Sequence, residues 1–154
     1  MRAALLALVL LARAAQAEPL ALVDLEGRPA PVAPAPDGAV VAHFWATWCP
    51  SCRDELPVLD RAAAACPGIE VIAVDVGEDR DEVAAYLAER PLALRVLRDP
   101  DGRAWRASGG REMPANLIWN AAGRRWALGP SSAAQWHERF AALGCANAPP
   151  HGPE

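Results

Sequence analysis

The chain has little of what membrane-spanning, zinc-binding and nucleic-acid-binding proteins are built from. Past its first residues it has no apolar run approaching the roughly 20 residues that a membrane helix needs. It has four cysteines but one Cys-x-x-Cys, at Cys49 and Cys52, so the paired motif of a structural zinc site is absent. No histidine follows closely on that motif to complete a ligand set. Phe and Tyr are scarce, two and one against six Trp, a balance that by itself indicates no function. The formal charge of −4 argues against non-specific binding to nucleic acid. A length of 154 residues fits one domain. Hydrophobic residues make up 53%, but alanine contributes heavily, so the larger core formers are fewer.

The start of the chain has the pattern of an export signal. Arg2 precedes the apolar run 3–12, and Ala15-Gln16-Ala17 gives the small-x-small pattern of a signal-peptidase site. Residues 1–17 are expected to be cleaved after Ala17. The alternative is a retained membrane anchor, against which stands an apolar run of about ten residues. Cleavage removes Arg2 and Arg13, leaving 13 basic and 19 acidic residues, a formal charge of −6. The expected destination is the periplasm. Export also allows disulfides, so Cys49/Cys52 and Cys66/Cys145 are weighed as two separate pairs.

Residues 18–145 are expected to form the domain and 146–154 a Pro-rich, disordered tail. Residues 20–25 read as a short first strand, followed by a turn at Glu26-Gly27-Arg28-Pro29 and an extended Pro/Ala loop to Gly38. The continuous apolar run 39–46 reads as a strand buried on both faces. From Pro50, Leu56, Leu59, Ala63 and Cys66 recur at helical spacing until Pro67-Gly68, with Pro57 expected to kink the helix. Residues 69–76 read as a second buried strand and 79–89 as a helix. Asp99-Pro100-Asp101-Gly102 is a turn. Residues 116–119 and 124–128 flank Asn120-Ala121-Ala122-Gly123 as a hairpin. A last helix, capped by Ser131 or Ser132, carries Trp136, Phe140 and Leu143. Strand, helix, strand, helix implies parallel strands with right-handed crossovers, and the hairpin adds antiparallel ones. The expected fold is α/β, a mixed sheet with helices on both faces.

The Cys-x-x-Cys lies between a buried strand and a helix start. Unpaired N–H groups and the helix dipole there stabilise a thiolate on the first cysteine. One helical turn brings Cys52 within bonding reach. Position therefore assigns Cys49 as an exposed nucleophile and Cys52 as the buried resolving thiol, linked through a mixed disulfide.

The segment Ala42-His43-Phe44-Trp45-Ala46-Thr47-Trp48-Cys49-Pro50-Ser51-Cys52-Arg53-Asp54-Glu55-Leu56-Pro57 resembles the active-site segment of the TlpA/DsbE-like branch of the thioredoxin superfamily. The likeness extends over residues 22–27, the turn at 99–102, Met113-Pro114 and the hairpin at 120–124. It implies a thioredoxin-like fold and an exported thiol–disulfide oxidoreductase without cofactor or metal. The implied partners are protein thiols and disulfides, among them those of cytochrome c maturation or oxidase assembly, and an upstream redox donor. A monomer that binds no nucleic acid is expected. By the same resemblance Pro114 matches the family's cis-proline. Trp48, Pro50, Ser51, Met113 and Pro114 would meet an extended substrate, and Trp45 would be core. Glu55 matches an acid credited with proton transfer at the dithiol; its alternative is a solvated first-turn acid stabilising the helix dipole. His43, where thioredoxins carry a buried Asp, reads as a core histidine or a proton partner of Cys52. Ala115 and Asn116 depart from the usual Thr-rich run.

In such a fold the helices ending at Cys66 and Cys145 pack on one sheet face with neighbouring C-termini. A structural disulfide is expected if their Cα atoms fall within about 7 Å, against two buried free thiols. Three competing functions are weaker, the weakest being a non-catalytic binding module, which the presence of both cysteines argues against. A copper metallochaperone would want a distal His near the pair, and His43 and His137 are poorly placed for it. A peroxidase would want Thr three residues before the reactive Cys, where Ala46 stands.

Overall fold

The computed structural model describes residues 18–107 and 109–145. The expected signal segment, 1–17, and the expected tail, 146–154, therefore lie outside the described residues. Five strands form one sheet: β1 (Ala39–Trp45), β2 (Ile69–Val76), β3 (Arg95–Asp99), β4 (Ala115–Asn120) and β5 (Gly123–Leu128). Their order is β3-β2-β1-β4-β5, with β1, β2 and β3 parallel and β4 and β5 antiparallel. The helices are α1 (Pro50–Ala65), α2 (Arg80–Glu89), α3 (Arg103–Ala107) and α4 (Ala133–Ala142).

The topology dictates where the helices lie. Moving from β1 to β2 to β3 steps twice in one direction, so right-handed crossovers put α1 and α2 on the same face. There α1, α2 and α4 bury Leu56, Leu59, Val83, Trp136 and Phe140 against Val41, Trp45, Val71 and Ala73. Period-two alternation sends Val40, Ala42 and Phe44 to the other face. That face is covered by α3 and by the N-terminal segment through Leu20, Leu22 and Val32. α1 runs on past Pro57, although the proline has no N–H to give the Arg53 carbonyl.

Three elements differ from the sequence reading. Residues 20–25 make no strand of the sheet; Leu20 bridges Val32, and Val23 bridges Pro29 and Arg98. Pro19 and Pro29 interrupt the donor row that a ladder needs. Conversely β3 and α3 were not expected. Arg95-Val96-Leu97-Arg98-Asp99 hides its strand character behind two arginines and an aspartate, yet Leu97, Arg98 and Asp99 are buried. Asp99 accepts from Ala104 N and Trp105 N at 3.1 and 2.8 Å and so starts α3. Gly102 supplies the positive φ (+62°) of the turn between them.

Candidate active site

β1 ends at Trp45, and Ala46-Thr47-Trp48 carries the chain onto α1. Cys49 is the N-cap, with Pro50 next in the first turn, where a missing N–H costs nothing. Cys49 and Cys52 form a disulfide with a Cα–Cα distance of 5.3 Å. Cys49 Sγ also accepts from the Cys52 backbone N–H at 3.3 Å, a contact that favours a thiolate at the same place after reduction. Ser51 Oγ lies 3.7 Å from Cys49 Sγ. Cys49 is less open than its assigned role suggested, 5% exposed against 0% for Cys52, because its sulfur is turned toward the helix start. The exposed side chain is Trp48, at 67%.

The Met113–Pro114 peptide is cis. Ala115 pairs with Phe44 in the antiparallel register, so Pro114 sits beside the end of β1, at the dithiol end of the sheet. Pro114 is buried and Met113 half-buried. The Pro114 carbonyl accepts from Gly129 N at 2.9 Å, which ties the loop to the end of β5. Trp48 and Pro50 are exposed and Ser51 half-buried on the same end.

Below the dithiol lies a buried polar cluster drawn from α1, β1, β4 and α4. Glu55, one turn after Cys52, is buried rather than solvated. It accepts from Ser131 N and, at 3.0 Å, from Trp136 Nε1. Burial pushes the Glu55 carboxyl above the usual range, and those N–H donors partly oppose it. His43 and Asn116 are register partners on β1 and β4. Their side chains lie 2.7 Å apart, Nδ1 to Oδ1, and Asn116 Nδ2 stands 3.4 Å from Glu55 Oε2. His43 Nε2 lies 3.2 Å from the Cys52 backbone carbonyl, so the ring reaches the peptide of the second cysteine. Full burial pulls His43 down to about 4, leaving it neutral at pH 7. Asn116, Ser131 and Trp136 were not foreseen as partners of Glu55. A polar residue inside the apolar run Ala115-Asn116-Leu117-Ile118 was the available signal for Asn116.

A second polar group braces the loop before Cys49. Glu78 accepts from Thr47 N and Thr47 Oγ1, both at 2.5 Å. Arg98 Nη2 donates to the Glu78 backbone oxygen at 2.8 Å. Asp75, paired in register with Trp45, is fully buried; burial first, and Glu78 beside it, push it up to about 8.

At the opposite end of α1, Cys66 and Cys145 form a second disulfide, Cα–Cα 5.4 Å across a sequence separation of 79. Among the described residues no group of three or more His, Cys, Asp and Glu is placed to hold a metal ion, and no helix is long and apolar enough to cross a membrane.

A mixed sheet of this order, with a disulfide on the first turn of a helix and a cis X–Pro beside it, defines a thioredoxin-like protein. Residues 14–124 match the AhpC/TSA family, and the chain belongs to it. Among its relatives is the soluble secreted antigen MPT53 of Mycobacterium tuberculosis, 29% identical over 100 residues, 65% of this chain and 52% of that protein. The thiol-disulfide oxidoreductase ResA of Halalkalibacterium halodurans is 30% identical over 116 residues, 73% of this chain and 66% of that one. The chain thus spans about half to two thirds of these relatives. A secreted Mycobacterium tuberculosis disulfide oxidoreductase homologous to E. coli DsbE has the same fold, with TM-score 0.70 and 27% identity over 79% of this chain and 94% of that one.

Proposed function

We propose that the chain is an exported thiol–disulfide oxidoreductase that exchanges disulfides with partner proteins through Cys49 and Cys52. The observation that carries this reading is the Cys49–Cys52 disulfide on the first turn of α1, above a buried carboxyl group. In the reduced protein the Cys49 thiolate attacks one sulfur of a partner disulfide, and the other partner sulfur leaves as a thiolate. Cys52 then gives its proton to Glu55. The Cys52 thiolate attacks Cys49 Sγ, forms the Cys49–Cys52 bond and releases the partner's remaining sulfur. Two electrons pass to the partner, and an upstream dithiol donor resets the pair by the reverse steps.

Trp48, Pro50, Ser51, Met113 and Pro114 form the surface for an extended partner segment, and Cys66–Cys145 is structural. The signal pattern in residues 1–17 and the secreted relatives support export to the periplasm. The family resemblance of the active-site segment favours a monomeric reductase of specific partners, in cytochrome c maturation or oxidase assembly. The test is a trap. Cys52→Ala, produced with its export segment, should accumulate a partner protein on Cys49 that dithiothreitol releases and that Cys49→Ala does not hold. Equal recovery on Cys49→Ala would contradict the assignment.

A further inference from the structure

The proton positions beneath the dithiol follow from which groups can only accept. The Cys52 peptide oxygen has no proton to give, so its contact with His43 requires a proton on Nε2. A neutral imidazole carries one N–H, which leaves Nδ1 as an acceptor. The group facing Nδ1 is the Asn116 amide, and its other side faces Glu55. A side-chain amide occupies the same space after a half-turn that exchanges its oxygen and nitrogen.

Two arrangements give every contact one donor and one acceptor, the Asn116–Glu55 contact being the long one at 3.4 Å. With Oδ1 toward His43, the ring donates from both nitrogens as an imidazolium, 3.7 Å from a Glu55 carboxylate. With Nδ2 toward His43, the ring is neutral, and Oδ1 faces Glu55, which then supplies an O–H. Each holds one proton more than a neutral His43 beside a Glu55 carboxylate. They differ in buried charge: two in the first, none in the second. His43 is fully buried and Glu55 nearly so, and charge separation in such a site is costly. The downward shift of His43 and the upward shift of Glu55 point the same way. Ser131 N–H and Trp136 Nε1–H fit either state, because both oxygens of a carboxylic acid accept. The ionisable groups facing the cluster are Arg139 on α4, whose charge acts on Glu55, and Glu55 itself on α1; β1 contributes His43 and β4 Asn116.

We propose that in the oxidised protein Glu55, Asn116 and His43 form a one-way relay: Glu55 O–H to Asn116 Oδ1, Asn116 Nδ2–H to His43 Nδ1, and His43 Nε2–H to the Cys52 carbonyl. Asn116 and His43 are then positioning residues that keep the proton on Glu55. This rests on Glu55 as the acceptor of the Cys52 proton; the proton it holds is the one Cys52 loses when the disulfide closes. On reduction it returns to Cys52 and Glu55 ionises.

The test reads protons directly. In the oxidised wild-type protein, nitrogen and carbon NMR of the His43 ring should show a neutral Nε2–H tautomer from pH 8 to pH 5. An imidazolium, or a proton on Nδ1, would overturn the relay. In Asn116→Ala the acid form loses its acceptor, so the Glu55 carboxyl resonance should titrate lower, by about one pH unit. The opposite amide orientation removes a donor and moves that titration up; an upward move or no move overturns the proposal. A Glu55→Gln variant that resolves mixed disulfides at the wild-type rate would instead remove Glu55 from the reaction and leave the ring assignment standing.

Discussion

In the proposed reaction Cys49, Cys52 and Glu55 take different parts because each sits in a different setting of the same helix start. Cys49 has the N-cap and a backbone N–H on its sulfur, Cys52 is wholly buried, and Glu55 is buried one turn further in. Replacing Glu55 with Gln keeps the shape and removes the proposed proton acceptor. The resolving step at pH 7 should slow by about a hundredfold, measured as decay of a preformed mixed disulfide, while the first attack by Cys49 changes little. Asp75 makes a separate prediction. Its folded-state titration, raised to about 8 from an ordinary 3.8, means the native protein binds the proton more tightly than the unfolded chain. The resulting stability is full below about pH 4 and is lost as pH rises toward 8. Asp75→Asn should remove that decline, so thermal unfolding at pH 8 occurs at a higher temperature in the variant than in the wild type.

At the scale of elements, the parts readable from sequence are those whose signals are local. The apolar run of β1, the helical spacing after Pro50 and the turn at 120–123 each declare themselves within ten residues. β3 does not, because Arg98 is buried through a contact with Glu78, twenty positions away. Leu20-Ala21-Leu22-Val23 misleads for the converse reason: its composition is strand-like, but with Pro19 before it and Pro29 opposite Val23 it makes only isolated bridges. The dithiol and its cis-proline were legible as motifs. The polar cluster was not, since residues 43, 55, 116, 131 and 136 meet only after four elements have packed. The link between α1 and the end of α4 carries the element-scale prediction. Closing a loop of this size removes about 4.5 kcal/mol of unfolded-state freedom in the chain-entropy model. The double variant Cys66→Ser/Cys145→Ser should unfold at clearly lower urea concentration. Its rate of disulfide exchange at Cys49 should stay within about twofold of wild type, measured with a small disulfide below the unfolding range, because those residues lie at the far end of α1.

For the whole molecule, the sheet order places the carboxyl ends of β1 and β2, the start of α1 and the Met113–Pro114 loop at one end, and the second disulfide at the other. Exposed Trp48 stands at the first of these ends. Trp48→Ala should weaken capture of a partner by Cys52→Ala severalfold without changing reactivity toward a small disulfide, which separates docking from chemistry. The most direct test of the central claim is the redox equilibrium of Cys49–Cys52 against glutathione or dithiothreitol, in Cys66→Ser/Cys145→Ser. A reductase predicts one reversible two-electron transition near the thioredoxin value of about −270 mV. A pair that does not cycle reversibly, or a potential near the strongly oxidising value of about −120 mV, would contradict it.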